Sequence, residues 1–245
     1  MGRMSELMID LMNQEADEWI RERLDDQDAD EDSDEYKQLA KEYSDYQEFL
    51  WDQKEFEDEL QWLKQNGSSK LHQRFVEELN GLKRLANSST PIFEVDMLGR
   101  MTYAHSITLL EAYLSDTAKF LIRENDKFLK NALSIDELKN AKYPLDYLVK
   151  NKISAVDLAT KELSDISFHN VPKVRKIFEA ILGMKIDIDI SKLSRVVSIR
   201  HDIVHRNGKT KDGELVRLVQ SEVLEVIEII EVFASDLQRH VNMKA

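Results

Sequence analysis

Arg200, His201 and His205 stand close together in the stretch SIRHDIVHRNGKTKDG, residues 198–213. Their types suit proton transfer beside an anion. An imidazole titrates near neutral pH and can take or give a proton. A guanidinium stays cationic and offers a planar fork that matches a phosphate. Metal-free cleavage of an RNA phosphodiester needs these parts. A base takes the proton of the ribose 2′-OH, an acid protonates the departing 5′-oxygen, and a cation stabilises the charge on the phosphoryl oxygens.

Other readings of the same residues compete with this one. On an ideal helix Arg200 is flanked by Leu193, Val196, Val197, Ile199, Ile203 and Val204, so it falls in the face that should pack. A buried guanidinium costs several kcal/mol unless it is paired or serves a wet cleft. Arg200 can therefore be structural, holding a carboxylate such as Glu111 and stitching two helices together. Ser194, Ser198, His201, Asp202 and His205 form the opposite, polar side. His201 and His205 have the i, i+4 spacing of two metal ligands, but HDIVH lacks the glutamate of a zincin and no third ligand is evident. No metal and no cofactor is expected. Asp202 reads as a helix-surface residue or local hydrogen-bond acceptor rather than a base, and His105 and His169 receive no role. Arg200 and His205 are about 140° apart on an ideal helix. They converge if the arginine stem bends round, if the helix loosens ahead of Arg206-Asn207-Gly208, or across a two-fold dimer.

The elements that must position these groups are helical. Apolar residues at Met4, Leu7, Met8, Leu11, Trp19 and Ile20 predict an amphipathic helix over 4–24. DDQDADEDSDE, 25–35, is an acidic loop without the glycine and terminal glutamate of an EF-hand. Leu39, Tyr43, Tyr46 and Leu50, then Phe49, Phe56, Leu60 and Leu63, predict a long helix over 36–65 that pairs with the first as an antiparallel hairpin. Its aromatics, Trp51 and Trp62 among them, are expected in a core or interface. Gly67 in QNGSS is read as a stop signal.

Leu71, Phe75, Leu79, Leu82 and Leu85 mark a helix over 70–87, and NSSTP, 87–91, a loop. Tyr103, Ile107, Leu110, Leu114, Thr117 and Leu121 mark a helix over 97–123, with Glu111 beside its stripe. Ser134 and Ser154 read as N-caps of short helices. Pro172 opens a helix that stops at Gly183. KIDIDI, 185–190, reads as an extended connection. Helices from about 191, carrying Arg200, and from about 219, with Val219, Val223, Val226, Ile230, Phe233 and Leu237 inward, complete the chain. No repeat at a solenoid period is present.

With 7 Gly, 3 Pro and 33% charged residues among 245, the composition is that of an all-α protein. Cysteine is absent, which excludes disulfides, thiolate zinc sites and a thiol nucleophile. Neither a signal peptide nor a membrane-spanning run is evident, so a cytoplasmic location and no membrane partner are expected. The net charge of −13 argues against a nucleic-acid partner only at first sight. Residues 1–65 hold 22 acidic and 7 basic side chains, leaving residues 66–245 with a small positive excess. The acidity belongs to the N-terminal region, and the rest is free to meet an anion.

Arg200-His201-Asp202-Ile203-Val204-His205 resembles the R-x4-6-H motif of HEPN domains, in which a polar residue follows the arginine. HRNGKTKDGE, SITLLEAYLSDTAKFL and ISFHNVPKVRKIFEAILGM are similar to the RiboL-PSP branch of that superfamily. The likeness covers roughly residues 70–240. It implies a HEPN-type helical bundle, usually dimeric, acting as a metal-independent endoribonuclease. The products would carry 2′,3′-cyclic phosphate and 5′-OH ends, and such proteins serve as toxins or phage-defence effectors. Arg200 and His205 carry over as the catalytic pair, with His201 and Asp202 supporting and Glu111 as the partner of Arg200. Arg206, Asn207, Lys209 and Lys211 are expected to contact RNA. A homodimer or higher homo-oligomer, and an antitoxin or other defence partner, are further expectations. A non-catalytic HEPN scaffold that binds RNA, nucleotide or protein is the alternative. The acidic 1–65 region lies outside this pattern, as a regulatory or oligomerisation extension.

Overall fold

The computed structural model describes residues 2–26, 29–88, 95–151 and 153–244; the side chains of 2–8, 95, 147 and 151 are not among those described. These residues form eleven helices and no strand. They are α1 (Gly2–Arg21), α2 (Asp34–Gln65), α3 (Ser68–Ala86), α4 (Val95–Glu124), α5 (Asp126–Ala132), α6 (Asp136–Asn140), α7 (Leu145–Asn151), α8 (Ala155–Ser164), α9 (Val171–Leu182), α10 (Ser191–His205) and α11 (Gln220–Asn242). The all-α class expected from composition and periodicity is the one observed. No described helix is long and apolar enough to cross a membrane. The chain divides into two compact units, residues 1–62 and 63–245, with the boundary inside α2.

In the first unit, α1 and α2 meet through the C-terminal end of α1. Trp19 packs on Tyr43 and Tyr46 with ring centroids 5.4 and 6.3 Å apart, and the Tyr36 hydroxyl donates to Asp17 at 2.9 Å. The Arg21 guanidinium, 2.8 Å from Asp17, and then the Tyr36 hydrogen bond hold the Asp17 carboxyl below the usual carboxylate range. Ile20 and Leu24 are buried, whereas Leu11 and Met12 are exposed. Contact along the full length of a hairpin is thus not seen among the described residues; Met4, Leu7 and Met8 lie outside the described side chains. Trp51 is 71% exposed, so it is not a core residue. The reason is local composition. Carboxylates crowd α2 between its aromatics, and only a narrow stripe remains for packing.

The second unit is organised around α4, which packs against α3, α5, α8, α9, α10 and α11. Its stripe of Tyr103, Ile107, Leu110, Leu114, Thr117 and Leu121 is buried throughout. Two buried phenols tie it to its neighbours. The Tyr113 hydroxyl donates to Gln238 of α11 at 2.8 Å, and the Tyr103 hydroxyl donates to the Val196 carbonyl of α10 at 3.0 Å. Burial pushes both phenols well above their ordinary range. Leu71, Phe75, Leu79 and Leu82 of α3 and the Val223-to-Leu237 stripe of α11 close the core, while Val219 and Leu85 are exposed.

Helix ends show which punctuation the chain uses. Gly67 is the N-cap of α3 with φ −67°, rather than a left-handed stop after α2. Ser134 does not cap α6; its hydroxyl donates to the Asn131 carbonyl, and Ile135 takes the cap position. Gly183 ends α9 with φ 63°, in the left-handed form a glycine permits. Residues 185–190 form neither helix nor strand, with Ile186 and Ile188 turned into the core and Asp187 and Asp189 outward. The alternation of that hexapeptide records a half-buried connection, not a sheet. Of the loop NSSTP, only Asn87 and Ser88 are among the described residues.

Ser154 forms a capping box with Asp157 at the start of α8, and Arg123 at the end of α4 reaches the same carboxylate at 2.7 Å. Burial works to raise the Asp157 carboxyl, but the hydrogen bonds from Ser154 and Arg123 outweigh it and hold it below the usual range. Its contribution to stability is therefore present above the unfolded-chain pKa and is lost as pH falls through the lower folded value. Asp157→Asn should cost about 1–2 kcal/mol at neutral pH, with the difference from wild type shrinking below about pH 4. Urea midpoints at pH 7 and pH 3 read this directly.

Candidate active site on helix 10

Helix α10 buries Leu193 and Val196 near its start, and its apolar face opens toward its end, where Val204 is 46% exposed. Arg200 occupies the transition. Its residue is half-buried, yet its Nε is fully buried and has no hydrogen-bond partner among the described residues. Among the described residues no carboxylate lies within ion-pair distance of its guanidinium. The Glu111–Arg200 pair is therefore not formed. The neighbour of Glu111 is His169, with Nδ1 3.7 Å from Oε1, and that oxygen too is buried without a hydrogen bond among the described residues.

Glu111 and His169 line a small cavity between α4, α9 and α10, together with Leu193 and Val197. It holds about 10 Å³, the room that one water molecule needs. The segments around Glu111, around Phe168-His169 and around α10, far apart in the chain, thus share one crevice. The sequence alone assigns His169 no role, and its proximity to Glu111 is a product of the tertiary fold.

His201 and His205 are exposed, one turn apart, with ring centroids 4.6 Å apart and planes inclined by 38°. Among the described residues no third His, Asp or Glu completes a metal-binding group with them. Asp202 is occupied by Arg206, whose guanidinium donates to its carboxylate in an i, i+4 pair. Arg206 is thus partly neutralised, while Asn207, Lys209 and Lys211 are exposed.

The helix does not loosen between Arg200 and His205. It is regular through His205 and breaks at Asn207, φ 52°, and Gly208, φ 74°. The chain then doubles back. Gly208 N–H donates to the Ile203 carbonyl at 3.0 Å, its own carbonyl accepts from Val216 N–H at 2.7 Å, and Lys209 bridges Leu215. The angular separation of Arg200 and His205 therefore stands. Within one chain the two groups meet only if the arginine stem bends round, and the remaining route is a two-fold assembly.

Comparison of the chain with family models, with curated proteins and with solved structures returns no match.

Proposed function

We propose that the 63–245 unit is a HEPN-type, metal-independent endoribonuclease, with Arg200 and His205 as its catalytic pair. The observation that carries this reading is Arg200. A guanidinium with a buried, unpartnered nitrogen and no carboxylate at hand is a poor structural element. It is well suited to an anion that arrives with a substrate. His205 takes the proton of the ribose 2′-OH or returns one to the 5′-oxygen, and Arg200 stabilises the charge on the phosphoryl oxygens. His201, beside His205, orients that ring or serves the second proton step. Lys209 and Lys211 on the exposed tail attract the backbone.

The first test is incubation of the purified chain with single-stranded RNA in excess chelator. Cleavage is expected to persist, and the new downstream ends should accept a kinase-transferred phosphate without prior dephosphorylation, as 5′-OH ends do. A chelator that stops the reaction would transfer the assignment to a metalloenzyme. Expression of the wild type beside His205→Ala, with growth and total RNA followed, reads the toxin or defence role in cells.

A second reading has one observation in its favour. The regular path of α10 keeps Arg200 and His205 on different sides, which a non-catalytic RNA-binding scaffold tolerates without any bending of the arginine stem or pairing of chains. Wild-type protein that binds RNA and never cuts it, at any concentration that permits dimers, would establish this scaffold reading.

The acidic 1–62 unit carries 22 acidic against 6 basic side chains, and its field opposes RNA approach. Removing it should raise RNA affinity. The truncation is best made after residue 62, because Leu63 and Asn66 are buried in the second unit. Equal affinity of the full chain and 63–245 across a salt titration would dispose of the idea.

A further inference from the structure

Arg100 lies on α4, one turn before Tyr103, and so shares the face that Tyr103 presents to α10. Its stem crosses the backbone of Gly208. A β-carbon at Gly208 would fall 2.9 Å from Arg100 Cδ and 3.1 Å from Nε. Gly208 is thus glycine for two reasons: its φ of 74° and this close approach. The seat is firm, because Gly208 is hydrogen-bonded on both sides, to Ile203 and to Val216. Arg100 is half-buried, and its side chain has no hydrogen bond and no ion pair among the described residues. Its stem is held in place while no described carboxylate pairs with its charge.

The turn that seats Arg100 begins directly after His205. Between Arg195 and Arg217 the chain holds six Lys or Arg against three Asp or Glu, and one of those three, Asp202, is engaged by Arg206. Arg100 adds a cation from a different helix to this basic end. A guanidinium fork delivered by a fixed stem is matched to a phosphate. We infer that Arg100 is a substrate-binding residue that grips a backbone phosphate of single-stranded RNA beside the one cleaved at His205. This inference rests on the ribonuclease reading of α10, and it gives the α10 tail a contribution from α4.

The test uses the full chain and an uncleavable 2′-O-methyl single-stranded oligonucleotide, with affinity followed against salt. Arg100→Ala is expected to bind about tenfold more weakly, and its log–log salt slope should fall by about 0.7, one phosphate contact on a single strand. Arg100→Lys should restore the slope and only part of the affinity, because a point charge replaces the fork. Should Arg100→Ala fold poorly, Arg100→Gln keeps the stem on Gly208 and serves in its place. A neutral variant with wild-type affinity and slope would overturn the inference, as would a wild type that does not bind the oligonucleotide. If that variant is unchanged while His205→Ala abolishes cleavage of a ribo-oligonucleotide, Arg100 alone is misassigned. If the slope falls as expected while His205→Ala still cleaves, the binding role stands and the catalytic pair is the error.

Discussion

His205→Ala is expected to lower RNA cleavage by about 10²–10⁴-fold, the range for losing a general acid or base, while the protein stays folded. His205 is the last residue of α10 and is exposed, and its described side-chain contact is the ring of His201 one turn back. Truncating it opens no cavity and strands no buried polar group, so the melting temperature should hold within the narrow range of a surface substitution. Loss of rate without loss of stability separates chemistry from folding. On the proposed mechanism His201→Ala should have a smaller effect, because its ring only stands beside that of His205. Purified His205→Ala with wild-type activity would remove His205 from the reaction.

Arg200→Met is the second discriminating substitution, and the two accounts of Arg200 predict opposite stabilities. If Arg200 were the structural partner of Glu111, its removal would break a buried ion pair and cost about 3–5 kcal/mol. The structure leads to a different expectation. Nε of Arg200 is buried without an acceptor, and Glu111 faces His169 instead. Methionine keeps much of the stem and relieves an unsatisfied donor, so stability should be unchanged or higher by about 1 kcal/mol. Cleavage should fall by about 10²–10³-fold, the cost of losing a preorganised charge on the developing oxyanion. Denaturant midpoints and single-turnover rates on the same preparation give both numbers. A large destabilisation would return Arg200 to a purely structural role.

Much of the architecture was legible in the residues. Helix periodicity is a local property, and the stripes of α3, α4 and α11 lie on the buried sides of those helices because 3.6-residue spacing dictates it. Val219, the N-cap ahead of α11, and Leu85, in the last turn of α3, depart at the helix ends. The caps at Ser154 and Gly183 were legible for the same local reason. Ser134 was misread because a serine hydroxyl can donate back to a carbonyl as readily as it can cap. The α1–α2 hairpin was overdrawn, because periodicity gives a helix its apolar side without saying how much of that side finds a partner.

The site divides along the same line. The spacing of Arg200, His201 and His205, the break at Asn207-Gly208 and the basic tail are consequences of sequence on one helix and its turn, and they needed no fold to be seen. Two matters were decided only by tertiary structure. Glu111 turns to His169 and not to Arg200, and Arg100 is laid across Gly208 from a helix a hundred residues earlier. The physical reason is that charge partners are chosen by which helices cross and at what depth. Crossing is set by the packing of Tyr103, Leu193, Val196 and their neighbours, and no pattern along a single segment encodes it.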